Sequence, residues 1–149
     1  MKAAEKKHSW AACKVAIRHQ KDKKPKESFE WFRKSADLGS DYGCCKLGEC
    51  YENGWGTETN AAHAAEWFLK GAERRHSWGM EKMGDFYRDG FGVEKNLAEA
   101  REWYGKAAKC GSKSAQKKID ALKKEVGAQV EKAAKWQPRC CPSRSLSVE

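Results

Sequence analysis

Leu47-Gly48-Glu49-Cys50-Tyr51-Glu52-Asn53-Gly54-Trp55-Gly56 returns 36 residues later as Met83-Gly84-Asp85-Phe86-Tyr87-Arg88-Asp89-Gly90-Phe91-Gly92. Asn60 and Ala64 come back at the same step as Asn96 and Ala100, and Ala36 as Ala72 and Ala108. Glu30-Trp31-Phe32 recurs as Glu66-Trp67-Phe68 and again as Glu102-Trp103-Tyr104. Chance does not set so many uncommon residues in register, so the chain is built on a 36-residue repeat, and the fold has to be read from that unit.

Inside one unit the apolar spacing is helical. Gly43, Leu47 and Tyr51 fall four apart on one face, and Ala64, Trp67, Phe68, Gly71 and Ala72 follow the i, i+3, i+4, i+7, i+8 pattern of an amphipathic helix. Each unit is therefore two helices. Asn53-Gly54-Trp55-Gly56 and Asp89-Gly90-Phe91-Gly92 supply residues that take positive φ where the first helix ends. Asn60 and Asn96 stand where an N-cap is needed for the second. Gly48, Gly84, Ala36, Ala72 and Ala108 leave room for neighbouring helices to approach, with Trp and Tyr filling the volume beside them.

The pattern L-G-x-x-Y-x-x-G-x-G, a spacer, Asn, and then A-x-x-W-[FY] closing on [GA]-A resembles the Sel-one-like repeat, a relative of the tetratricopeptide repeat with a longer internal loop. The resemblance implies an all-α protein, an α/α solenoid of antiparallel helix pairs, with repeats at 40–75 and 76–111. Outward it weakens. Residues 1–39 form a degenerate first repeat, in which His8-Ser9-Trp10 echoes His76-Ser77-Trp78 at an offset of 68, so the first loop is four residues shorter. The Gly-x-Gly is missing there, and Pro25 is placed to open the second helix at its first turn. Residues 112–136 read as one lysine-rich capping helix with Ala115, Ile119 and Leu122 inward, and 137–149, with two Pro and three Ser, as a disordered tail. Stacks of this kind need about three units for stability, so this array is near the minimum.

A length of 149 residues is the size of one domain. The chain is polar, 34% charged with a mean hydropathy of −0.92, but its seven Trp and four Tyr argue against simple disorder. No stretch approaches a membrane span, and residues 1–10 lack the apolar core of a secretory signal, which predicts a soluble protein in the cytoplasm or elsewhere inside the cell. The net charge of +9 lies at the ends. Residues 1–26 carry nine Lys or Arg against two acids, residues 27–111 twelve against fifteen, and residues 112–149 nine against four. The repeat body is mildly acidic.

Residues that could carry chemistry do not assemble. His8, His19, His63 and His76 show no metal-ligand spacing, the carboxylates are scattered along helix faces, and no nucleophile or cofactor motif is found. The expected protein is not an enzyme and holds no cofactor or metal. Seven cysteines, odd in number and without C-x-x-C, suit reduced thiols better than a disulfide framework, although a structural bridge stays open. Some bacterial Sel-one-like proteins tie each helix pair with a bridge. Here Cys44 matches the second cysteine of that pattern, but Ala36, and in the next unit Ala72 and Met80, stand at the other positions, which disfavours the secreted cysteine-rich branch. Cys140-Cys141 is not a prenylation box.

By resemblance to the tetratricopeptide pattern, the first helices line a concave groove. Its positions are Tyr42, Cys45, Glu49 and Glu52 in one unit and Trp78, Glu81, Asp85 and Arg88 in the next. The shifted register adds Trp10, Cys13, Ile17 and Gln20. Trp10, Tyr42 and Trp78 then either form an aromatic stripe for a ligand or pack between units. Ringed by Glu49, Glu52, Glu81 and Asp85, the stripe suits a protein or peptide partner with basic and apolar side chains, and the chain reads as an interaction scaffold or adaptor. The competing reading is contact with RNA or a ribonucleoprotein through the basic ends, with Lys117, Lys118, Lys123 and Lys124 on phosphates.

Overall fold

A computed structural model describes residues 2–135, and among them it contains seven helices and no strand: α1 (Lys2–Lys21), α2 (Pro25–Asp37), α3 (Asp41–Asn53), α4 (Ala61–Glu73), α5 (Ser77–Asp89), α6 (Leu97–Lys109) and α7 (Lys113–Lys135). The helices pack as hairpins, α1 with α2, α3 with α4 and α5 with α6, and each hairpin docks on the next through α2 on α3, α4 on α5 and α6 on α7. This is the α/α solenoid anticipated from the repeat. The positions expected for Trp136 and for the tail 137–149 lie outside the described residues.

The helix ends are set by the side chains at them. Ser40 Oγ accepts from the Gly43 amide at 3.0 Å, Asn60 Oδ1 from the His63 amide at 3.2 Å, and Asn96 Oδ1 from the amides of Ala98 and Glu99 at 3.0 and 3.3 Å. Gly54 and Gly90 close α3 and α5 in the left-handed region at φ 72° and 71°. The degenerate unit lacks these glycines, and there Lys23 takes φ 58° before Pro25 starts α2. Gly56 and Gly92 do more than turn. A Cβ on Gly56 would overlap the Pro25 carbonyl and one on Gly92 the Ala61 carbonyl, so each loop rests on the start of the second helix of the preceding unit.

The core runs along the stack. Phe32, Leu47, Phe68, Met83 and Tyr104 are fully buried, and two glycines make room for the rings: an added Cβ at Gly48 would sit 2.9 Å from Phe68 Cδ2, and at Gly84 2.5 Å from Tyr104 Cε1. Ala115, Ile119 and Leu122 are buried on α7. They stand 36 residues after Gly79, Met83 and Phe86, so α7 is the first helix of a further unit. It runs on to Lys135 because Val126 stands where Gly54 and Gly90 end the equivalent helices.

Candidate functional site

Of the first helices, α3 is tied to α5 and α5 to α7 by side chains 30 or more residues apart, and α1 touches α3. Tyr42 and Trp78 lie 6.3 Å apart between ring centroids, and His76 stands 6.1 Å from Tyr42 and 6.3 Å from Trp78. Phe68 meets Trp78 edge-on at 5.8 Å, and Lys46 Nζ is 5.2 Å from the Trp78 ring. Trp10 is not in that stack. It is 61% exposed, carries Lys14 Nζ at 3.8 Å, and with Tyr42, Ser9, Asp41 and Arg74 borders an open cleft of about 630 Å³. Of the three aromatics, two therefore touch and the third faces them across space.

The acidic ring is changed by the structure. Glu49 pairs with Lys46 at 2.6 Å, Glu52 with Lys82 at 3.0 Å, and Lys118 of α7 reaches both Glu81 at 2.7 Å and Asp85 at 2.8 Å. Glu81 also accepts from Ser112 at 2.9 Å and Ser114 at 2.6 Å, and Asp85 from the Tyr104 hydroxyl at 2.5 Å. Arg88 holds Asp89 at 2.9 and 3.0 Å and stands 3.7 Å from Asp85. Burial works to raise the Glu81 pKa, but the hydrogen bonds from Lys118, Ser114 and Ser112 outweigh it and hold the carboxyl below its usual range. Burial likewise opposes the charge on Lys118, and Asp85 and Glu81 overcome it and raise the ammonium. The carboxylates on this face are thus already neutralised, and a basic ligand would have to displace lysines of the protein itself.

Two of the groove positions are not on the surface. Cys13 and Cys45 are buried, Cys13 Sγ 2.7 Å from Ser35 Oγ and Cys45 Sγ 3.8 Å from His76 Nδ1. Cys45 fills the space that Gly71 and Gly79 leave open. Burial pushes the thiols of Cys45 and Cys50 up to about 12, which makes them core side chains and not nucleophiles. Cys13, Cys44, Cys45, Cys50 and Cys110 are free; Cys140 and Cys141 lie outside the described residues. Among the described residues no group of three or more His, Cys, Asp or Glu could hold a metal, and no helix is long and apolar enough to cross a membrane. On α7, Lys117, Lys123 and Lys124 are exposed, whereas Lys118 is engaged by Glu81 and Asp85, which weakens the phosphate-binding reading of that helix.

Three consecutive stretches, 11–40, 41–76 and 79–112, match the model of the Sel1 repeat. The chain belongs to the Sel1 repeat family. Among solved structures it is similar to a Sel1 repeat protein from Oxalobacter formigenes, at 32% identity and TM-score 0.72 over 76% of this chain and 48% of that one. It is also similar to c5321, a protective antigen of uropathogenic Escherichia coli with an SLR fold, at 31% identity and TM-score 0.70 over 76% of this chain and 25% of that one. The cysteine-rich protein B of Helicobacter pylori matches at 25% identity and TM-score 0.58 over 74% of this chain and 93% of that one. The chain thus spans about half the length of the first of these relatives and a quarter of the second. A comparison with curated protein sequences finds no significant match. Sel1 repeats generally form protein-interaction scaffolds and are typically non-catalytic.

Proposed function

We propose that this Sel1 repeat array works as a binding scaffold, taking a peptide or helix of a protein partner on the face formed by α1, α3, α5 and α7. The observation that supports this is the row Trp10, Tyr42 and Trp78, one aromatic per unit, with an open cleft between the first two. A Trp left 61% exposed gives up a large apolar area to any partner that covers it, and aromatic anchors of this kind dominate interface energies. Because Glu49, Glu52, Glu81 and Asp85 are paired with lysines, the anchor is apolar and the charges set orientation and rate.

The test follows from the same geometry. Affinity purification with wild-type protein and with Trp10→Ala, followed by mass spectrometry and titration of the recovered partner, should show binding at least tenfold weaker for the variant, with an unchanged melting curve. Equal binding by Trp10→Ala and by Tyr42→Ala would move the site off this face. Charge reversal at Glu81 or Asp85 is a poor probe, since those residues also hold α7.

A further inference from the structure

Between the second and third units, one ring fills the space between two others. His76, the residue before α5, stands 6.1 Å from Tyr42 and 6.3 Å from Trp78, and its Nδ1 lies 3.8 Å from Cys45 Sγ. The three rings close that junction on the first-helix face, where Tyr42 and Trp78 are both half-buried.

The junction before it is built from the same positions without the ring. In the shorter register of the first unit, Trp10, Cys13, Ser40 and Tyr42 take the places of Tyr42, Cys45, His76 and Trp78. Ser40 has nearly the backbone of His76, φ −74° and ψ 120° against −78° and 116°, and it makes the same thiol contact, its Oγ 3.6 Å from Cys13 Sγ. Its side chain ends there, accepting from the Gly43 amide as the cap of α3. Where the imidazole lies in one junction, the other has the open cleft of about 630 Å³ bordered by Trp10 and Tyr42. The walls are α1, the α2–α3 turn, the start of α3 and the residue after α4, so the cleft is internal to the array and is made by neither end of the chain.

Two features select what enters. A slot bordered by an indole and a phenol favours an aromatic side chain, which gains edge or offset contacts with both rings as well as the burial of its own area. Trp10 is 61% exposed, whereas Tyr42, its counterpart beside His76, is half-buried, so a ring in the cleft would give Trp10 the cover that Tyr42 has. The charges bordering the cleft are Lys6 and Arg74 against Asp41, with Lys14 Nζ 3.8 Å from the Trp10 ring. The Arg74 guanidinium lies against Gly39, 3.2 Å from where a Cβ would stand, and makes no ion pair among the described residues. Asp41 Oδ1 already accepts from the Tyr42 amide at 2.9 Å. The uncompensated charge at this cleft is therefore positive.

We propose that this cleft takes a single aromatic side chain of the partner, from a segment with an acidic residue beside the ring, seated between Trp10 and Tyr42 as His76 is seated between Tyr42 and Trp78. The proposal rests on the reading of the first-helix face as the binding surface and adds the chemistry of the partner to it. Because Glu49, Glu52, Glu81 and Asp85 are paired with the protein's own lysines, it replaces the basic ligand expected from the sequence with an acidic one.

The probes are acetyl-Glu-Trp-Glu-amide, the same peptide with Leu in place of Trp, and acetyl-Lys-Trp-Lys-amide. Each is titrated to tens of millimolar into the isotopically labelled full chain, and binding is read from the amide and indole resonances of α1 and α3. The first peptide should shift the Trp10 indole N–H and the amides of Ser40 and Gly43 saturably, and the other two should bind several-fold more weakly. Ser40→His puts the internal ring into the cleft and should weaken the first peptide at least fivefold, whereas Ser40→Thr, which keeps the cap and adds no ring, should bind it as the wild type does. Trp10→Ala, at an exposed position, should weaken it as much as Ser40→His and serves in its place if that variant melts early. No saturable shift, equal binding of either other peptide, or undiminished binding by folded Ser40→His or by Trp10→Ala overturns the proposal. The face itself is judged separately: a protein partner lost by Trp10→Ala but kept by Ser40→His leaves the first-helix face as the binding surface and removes the ring from the cleft.

Discussion

Gly84→Ala adds a single methyl group to α5, and its effect can be worked out. The new Cβ would stand 2.5 Å from Tyr104 Cε1 and 2.6 Å from Cδ1, whereas carbon atoms in contact prefer about 3.5–4.0 Å, so one side must move by about 1 Å. The ring has nowhere to go: Tyr104 is 0% exposed, and its hydroxyl is held by Asp85, which Lys118 holds in turn. Overpacking of this kind costs about 1–3 kcal/mol, and against it alanine gains about 1 kcal/mol over glycine inside a helix. The net loss is about 0–2 kcal/mol, which for a chain of this size lowers Tm by as much as roughly 4–8 °C. Gly105→Ala is the matched control, because nothing lies within 4 Å of its added Cβ. There only the propensity gain remains, so Tm should rise by about 2–4 °C. Circular dichroism melts of the two variants beside the wild type make the measurement. A Gly84→Ala protein that melts as high as Gly105→Ala would refute the close-packing argument, and Gly84→Leu should be worse than Gly84→Ala.

Other outcomes are equally definite. The carboxyl of Glu81 is depressed in the folded protein, so its stabilisation is present above the ordinary carboxylate range and is lost as pH falls through the depressed value. Lys118 is raised, so its share is complete below the ordinary lysine pKa and is lost only as pH rises through the raised value. The docking of α7 should therefore be flat between roughly pH 5 and pH 10, and hydrogen exchange in residues 113–125 should quicken below about pH 4; Lys118→Met should speed that exchange already at pH 7, and slow exchange there would sink the idea. At pH 8 a thiol reagent should modify exposed Cys110 and leave buried Cys45 and Cys50 untouched, as read by peptide mapping, and early labelling of either buried thiol would contradict its packing. Asn96→Ala removes the acceptor for two amides at the start of α6 and should cost about 1 kcal/mol in a denaturant titration, with Asn96→Gly costing less.

The period, the helix pairs and the residues that end each helix were legible in the sequence alone. Each rests on contacts within a few residues: Asn60 and Asn96 cap amides two or three positions on, and Gly54 and Gly90 take a backbone region that other residues enter with strain. Register also set Tyr42 and Trp78 at equivalent positions. Register could not tell which lysine lies beside which acid, because Lys82 with Glu52 and Lys118 with Glu81 and Asp85 meet across 30 or more residues, where helix packing sets the distance. It assigned Cys13 and Cys45 to the groove, and only packing showed that small residues at Ser35, Gly71 and Gly79 draw the neighbouring helix over them. Local chemistry therefore determined the unit and its ends, while the stacking of units decided which charges are neutralised, which thiols are hidden and which surfaces stay open.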